Sequence, residues 1–131
     1  SKVLVLGLTY RGGVKEFYNS PAIKIIEELK KLGFVVHAYD PLCSEEDAGI
    51  FGVSWKSDFE DIDAIVVATD HREFREINLE EVAKKVRHKI IVDGRRVLDR
   101  EKALELGFVY LGVGCTESMF TEKSIFKDEI K

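Results

Sequence analysis

Apolar residues in this chain fall into short unbroken runs, and between the runs lie stretches whose apolar positions recur at helical spacing. Val3 to Leu6 show no polar and apolar alternation, which predicts a strand covered on both faces, as parallel strands are. After a loop at about residues 9–19, Ser20 is a plausible N-cap and Pro21 a first helical residue. Ala22, Ile23, Ile25, Ile26, Leu29 and Leu32 then mark one helical face. Gly33 supplies a left-handed stop, and residues 34–39 form a second strand closed by Asp40-Pro41.

The alternation continues to the end of the core. A short helix is predicted over residues 44–51, capped by Ser44 with Glu45, Glu46 and Asp47 in its first turn. Residues 53–55 read as a short extended link and 64–68 as an apolar strand. Helices follow over 72–77 and 79–86, the second with Leu79, Val82, Ala83 and Val86 on one face. A strand over 89–92, a helix over 97–106 stopped by Gly107, and a strand over 108–111 complete the series. Asp58 to Asp63 hold four acids, but their spacing matches no calcium loop, and the segment reads as a solvated connection. From about Phe120 the chain is a charged tail. This order predicts an α/β fold: one open, parallel, Rossmann-like sheet with helices on both faces, a single domain over residues 1–119 and a tail over 120–131.

Ligands of such sheets sit at the C-terminal ends of the strands, so polar residues there are the first candidates for function. Three clusters qualify: Tyr10-Arg11, Asp70-His71 and Arg95-Arg96. The loop carrying the first is longer than an ordinary strand-to-helix connection, and long loops at that edge are commonly functional. A dinucleotide fingerprint fails, because Thr9 occupies the place of the second glycine after Gly7. A P-loop fails too, because Gly13-Val14 stand where its Lys and Ser or Thr belong. Arg11 remains as a cation among glycines near a helix N-terminus, suited to a phosphate or else a solvated loop charge. One of Arg95 and Arg96 is expected to project over the sheet edge toward a pyrophosphate or sugar hydroxyls, the alternative being a salt bridge to Asp93 or Asp99. His71 has no nucleophile beside it and is expected to cap or hydrogen-bond locally.

Acidic residues number 24 against 20 basic, a net charge of −4, which argues against a nucleic-acid surface. No apolar stretch reaches membrane-spanning length and no leader resembles a signal peptide, so a cytoplasmic location is expected. Glutamine is absent and Asn19 and Asn78 are the only asparagines, while Lys and Glu are abundant; that pattern suggests a heat-adapted source. Cys43 and Cys115 have no metal-ligand spacing around them. They read as buried or half-buried thiols, with a disulfide as the alternative. The 131 residues make one domain, short for an enzyme holding both a dinucleotide and a sugar, and the chain starts at Ser1 with Met119 its only methionine. A domain excised from a longer protein is the expectation.

The ordered set Leu6-Gly7-Leu8-Thr9-Tyr10-Arg11-Gly12-Gly13, Asn19-Ser20-Pro21-Ala22, Tyr39-Asp40-Pro41, Ala68-Thr69-Asp70-His71 and Asp93-Gly94-Arg95-Arg96-Val97 resembles the C-terminal domain of the UDP-glucose/GDP-mannose dehydrogenase family. The resemblance implies a parent enzyme that oxidises the C6 alcohol of a nucleotide sugar to the carboxylate with two NAD molecules, this domain closing over the nucleotide end of the UDP-sugar. It implies that Tyr10, Arg11 and Arg95 bind that substrate. Tyr18 falls where the family often has an arginine reaching toward NAD, and a tyrosine brings no cation there. The resemblance also implies that NAD is bound mainly by an N-terminal domain and that the catalytic cysteine belongs to a middle domain. Cys115 lacks the Pro-Lys-Asp that follows the family's cysteine, so no catalytic residue is assigned to this chain. The implied partners are the UDP-sugar, the remaining domains of the parent enzyme and further copies in a homo-oligomer. Two other readings stand beside it: a stand-alone nucleotide-binding or regulatory module without catalysis, and a signalling receiver domain, which would need paired acids where this chain has Thr9-Tyr10-Arg11.

Overall fold

The computed structural model describes residues 1–8 and 21–112. Six strands make one parallel sheet: β1 (Lys2–Leu6), β2 (Val35–Tyr39), β3 (Ser54–Trp55), β4 (Ala64–Val67), β5 (Ile90–Asp93) and β6 (Val109–Gly112). Their order is β3-β2-β1-β4-β5-β6. That is the doubly wound order of dinucleotide-type folds; a receiver domain has the five-stranded order 2-1-3-4-5, so the receiver reading is set aside. The helices are α1 (Pro21–Lys31), α2 (Glu45–Ile50), α3 (Arg72–Arg75), α4 (Leu79–Lys85) and α5 (Arg100–Glu105).

The uninterrupted apolar strands need cover on both sides, and the side chains divide by parity. Val3, Val5, Val36, Ala38, Val66 and Val92 face α1 and α2, meeting Ala22, Ile25, Ile26, Leu29 and Ala48. Leu4, Leu6, Ile65, Val67 and Ile91 face the other way, toward Phe74, Leu79, Val82 and Ala103 of α3, α4 and α5. The expected fold class is therefore the observed one. Local signals behave as expected: Ser44 and Asp47 form a reciprocal capping box at α2. Gly33 and Gly107 close α1 and α5 at φ +89° and +90°.

Three expectations need correction. The helix expected over 97–106 begins only at Arg100, because Val97 and Leu98 give their N–H groups to the Asp93 carboxylate and Asp99 caps the helix instead. The helix expected over 72–77 stops at Arg75, with Glu76 as its C-cap. The third concerns the acidic connection at 58–63. Asp58, Glu60 and Asp61 are exposed as expected, but Ile62 and Asp63 are buried. Asp63 accepts the Lys2 N–H at 2.7 Å, takes the Arg87 guanidinium on both carboxylate oxygens, and lies 2.7 Å from His88 Nδ1. It thus ties β1, β4 and the lead-in to β5 together at the N-terminal edge of the sheet, opposite the ligand edge.

Burial opposes ionisation of Asp63, but bonds from Arg87, Lys2 and His88 outweigh it and hold the carboxyl far below the usual range. A depressed folded-state value means that this cluster stabilises the fold above about pH 4, the unfolded aspartate range, and loses that contribution as pH falls further. Urea unfolding across the acid range should therefore show the wild type losing stability faster below about pH 4 than Asp63→Asn does. Parallel acid profiles for the two proteins would remove Asp63 from this role.

Candidate functional site

Connections run one way from β1 to β2 and the other way from β4 to β5, so the chain diverges above β1 and β4 and leaves a crevice at their C-terminal ends. Backbone bonds extend the ladder into the exits. Gly7 N–H donates to Tyr39 O at 2.8 Å, Ala68 N–H to Leu6 O at 2.9 Å and Gly94 N–H to Val67 O at 3.0 Å. Gly7 has φ +105°, and a Cβ there would stand 2.5 Å from Thr69 Cβ and 2.9 Å from Thr69 N. Only glycine lets the β1 and β4 exits approach so closely.

Asp40, at the end of β2, is 0% exposed. Its Oδ2 accepts Leu8 N–H at 2.7 Å and lies 3.1 Å from His71 Nε2, while Oδ1 accepts Leu42 N–H at 2.8 Å. His71, 1% exposed, packs edge-on against Phe74 with ring centroids 5.3 Å apart. The expectation of a local role for His71 is corrected: it makes no side-chain cap at α3 and reaches across to the β2 exit. One buried carboxylate and one buried imidazole thus join the exits of β1, β2 and β4. Asp70, the other member of that cluster, takes a two-bond grip from Arg75 at 3.0 and 2.7 Å.

Asp93 repeats the device at the end of β5. Buried and fully occupied, it accepts N–H groups from Arg95 at 3.3 Å, Val97 at 3.1 Å and Leu98 at 2.8 Å, and the Tyr110 hydroxyl at 2.8 Å. Burial, then the bond to Asp93, pushes the Tyr110 hydroxyl well above its ordinary pKa, so it stays a donor. The carboxylate folds the Asp93-Gly94-Arg95-Arg96 turn around itself and leaves both arginine side chains exposed at the tip. The expected alternative, a salt bridge to Asp93 or Asp99, is not formed: backbone donors and Tyr110 occupy Asp93, and Asp99 caps Lys102 N–H at 3.1 Å. Arg96 reaches back to Gly112 O at 3.4 Å. Arg95 makes no side-chain hydrogen bond or ion pair among the described residues, so its guanidinium stands available at the C-terminal edge. Tyr10, Arg11 and Tyr18 lie outside the described residues, as does Cys115; Cys43 is half-buried.

The sequence profile of the UDP-glucose/GDP-mannose dehydrogenase family, UDP binding domain, matches residues 4–100. The chain belongs to this family. The matched span contains every strand exit from β1 to β5, hence Gly7, Asp40, His71, Asp93 and Arg95. The chain is similar to the UDP-N-acetyl-D-mannosamine dehydrogenase of Pyrococcus horikoshii, 40% identical over 112 residues that cover 86% of this chain and 25% of that protein. It is also similar to a UDP-glucose 6-dehydrogenase of Rickettsia typhi, 35% identical over 119 residues covering 86% and 27%. Among solved structures, it matches an NDP-N-acetyl-D-galactosaminuronic acid dehydrogenase from Methanosarcina mazei with a TM-score of 0.72 at 25% identity, covering 88% of this chain and 25% of that one. The chain therefore spans about a quarter of the length of the relatives it matches.

Within this UDP-binding domain the acid at the end of β2 is not placed as it is in a dinucleotide site. In dinucleotide-binding domains an acid about 20 residues beyond the glycine turn faces the ribose hydroxyls. Asp40, at the corresponding end of β2, is turned inward and spent on Leu8, Leu42 and His71. Sequence reasoning read Asp40 as a strand terminator and did not assign Asp93 or Tyr110 to the site. The available signal was an aspartate directly after or within one residue of an apolar run, recurring at Asp40, Asp70 and Asp93.

Proposed function

We propose that this chain is the C-terminal substrate-binding domain of an NAD-dependent nucleotide-sugar 6-dehydrogenase, acting on UDP-glucose or a UDP-N-acetylhexosamine with two NAD per turnover. The observation that carries the reading is the match of the UDP binding domain across the strand exits from β1 to β5, with the exposed Arg95 standing at the β5 exit. In this reading Arg95, with Tyr10 and Arg11 of the first loop, holds the UDP end of the substrate. A planar guanidinium fork matches the paired oxygens of a diphosphate. The buried Asp40–His71 and Asp93 clamps orient the turns that carry these contacts. NAD supplies hydride acceptance and is carried by the rest of the parent enzyme, consistent with the inward Asp40; Tyr18 is at most an uncharged contact to it. The sugar specificity, the homo-oligomer and the cytoplasmic location belong to that parent protein. Alone, the chain turns over no substrate.

The competing reading, a stand-alone nucleotide-binding module, shares the UDP site, so the first test addresses the site itself. Titration calorimetry should show UDP binding to the chain. Arg95→Ala should weaken it roughly tenfold to a hundredfold, the weight of one charge-assisted contact, without changing the melting temperature. Unchanged affinity in Arg95→Ala would remove this residue from the site, and absence of UDP binding would end the reading. Steady NADH production from a UDP-sugar by the chain alone would overturn the assignment of the chemistry to other domains.

A further inference from the structure

The turn after β5 also builds a second hollow, which the nucleotide reading does not use. A cavity of about 330 Å³ opens where β5 and β6 end, lined by Arg96, Leu98, Arg100, Tyr110 and Gly112. No carboxylate is among these lining residues. Neither guanidinium forms an ion pair among the described residues; Arg96 makes only its long bond to Gly112 O. Gly112 keeps the floor low, since a Cβ there would stand 3.2 Å from Tyr110 Cε1 and 3.7 Å from Arg96 Cγ. The backbone adds an independent observation. Arg96 sits at φ +56°, a left-handed conformation that glycine adopts freely and that costs any other residue about 1 kcal/mol or more. An arginine is thus held in a conformation that favours glycine, with its side chain directed over β6 and no ion pair there among the described residues.

We propose that this hollow binds a phosphate-type oxyanion between the Arg96 and Arg100 guanidinium groups. Two forks of N–H donors and two positive charges match the charge and the oxygens of a tetrahedral dianion, whereas a carboxylate brings a single negative charge. The Tyr110 hydroxyl, committed to Asp93, supplies an apolar ring wall rather than a donor to the anion. The phosphate is either a free anion or the terminal phosphate of a nucleotide bound at the neighbouring strand end.

The test is titration of the chain with inorganic phosphate, followed by amide and arginine side-chain NMR shifts. Arg96→Gly and Arg100→Ala should each weaken phosphate binding at this hollow at least tenfold, read from the shifts around Arg96, Arg100 and Tyr110, while Lys84→Ala, on the exposed face of α4, leaves it unchanged. Arg96→Gly relieves the backbone, so its melting temperature should hold or rise. That separates lost binding from lost structure, and Arg96→Lys serves as a second variant should the glycine disturb the turn. Displacement of phosphate by UDP would assign the anion to the nucleotide, and simultaneous binding would assign it to a free phosphate; both support the site. Absence of phosphate shifts around Arg96 and Arg100 in the wild type, or equal affinity in both variants, would overturn it. An equal loss in Lys84→Ala would overturn it as well. The nucleotide reading is tested apart from this one, by UDP affinity in Arg95→Ala.

Discussion

Gly7→Val is expected to unfold this protein or leave it barely stable. The residue sits at φ +105°, outside even the left-handed helical region that asparagine and aspartate tolerate, so any side chain carries backbone strain of about 1–3 kcal/mol. The new Cβ would also lie 2.5 Å from Thr69 Cβ and 2.9 Å from Thr69 N. Thr69 is buried in the β4 exit, where Ala68 N–H is bonded to Leu6 O, so its backbone cannot move aside without opening the ladder. Overpacking adds roughly another 1–3 kcal/mol, against a total stability of about 5–15 kcal/mol for an ordinary domain. Denaturant unfolding measures the loss. Thr69→Gly in the Gly7→Ala background should restore only part of it, because the clash with the backbone nitrogen and the positive φ remain. A Gly7→Ala protein as stable as the wild type would mean that the two exits are not in such close contact.

Asp93→Ala is expected to be the other severe change, and it should damage binding along with stability. Removing the carboxylate strips the acceptor from the buried Val97 and Leu98 N–H groups and from the Tyr110 hydroxyl. Each buried donor left without a partner costs about 1–3 kcal/mol, so a loss on the order of 3 kcal/mol or more is expected by urea unfolding. Tyr110→Phe, which removes one bond and leaves the backbone donors satisfied, should cost far less. Because the same carboxylate shapes the turn bearing Arg95, Asp93→Ala should weaken UDP binding at least as much as Arg95→Ala at a temperature where both remain folded. Intact UDP affinity in Asp93→Ala would mean that the turn is held by something other than this carboxylate.

Features that depend only on neighbours along the chain could be read from the residues alone. Unbroken apolar runs specify strands covered on both faces, because charge on either face would be buried. Helical spacing of Ala22, Ile25, Ile26 and Leu29 specifies the buried side of α1, whereas Ile23, read on the same face, is exposed and Leu32 lies past the helix end, half-buried. Gly33, Gly107 and the Ser44–Asp47 pair act through local backbone conformation and local bonds, so the stops and the cap were legible. The family resemblance was legible for the same reason, resting on ordered short motifs. The roles of the acids were not. Asp63 looks like Asp58 and Asp61 in sequence, yet it alone is sealed under Arg87, His88 and the Lys2 amide, a donor 61 residues away. Asp40 and His71 are 31 residues apart, and Asp93 and Tyr110 are 17. Whether a carboxylate is a solvated surface charge or a buried clamp depends on how many donors surround it, and the strand order brings those donors together from distant segments. The sheet therefore decided that Asp40 faces inward, that Asp93 spends itself on the turn, and that Arg95 stands without an acidic partner among the described residues at the edge where a ligand would meet it.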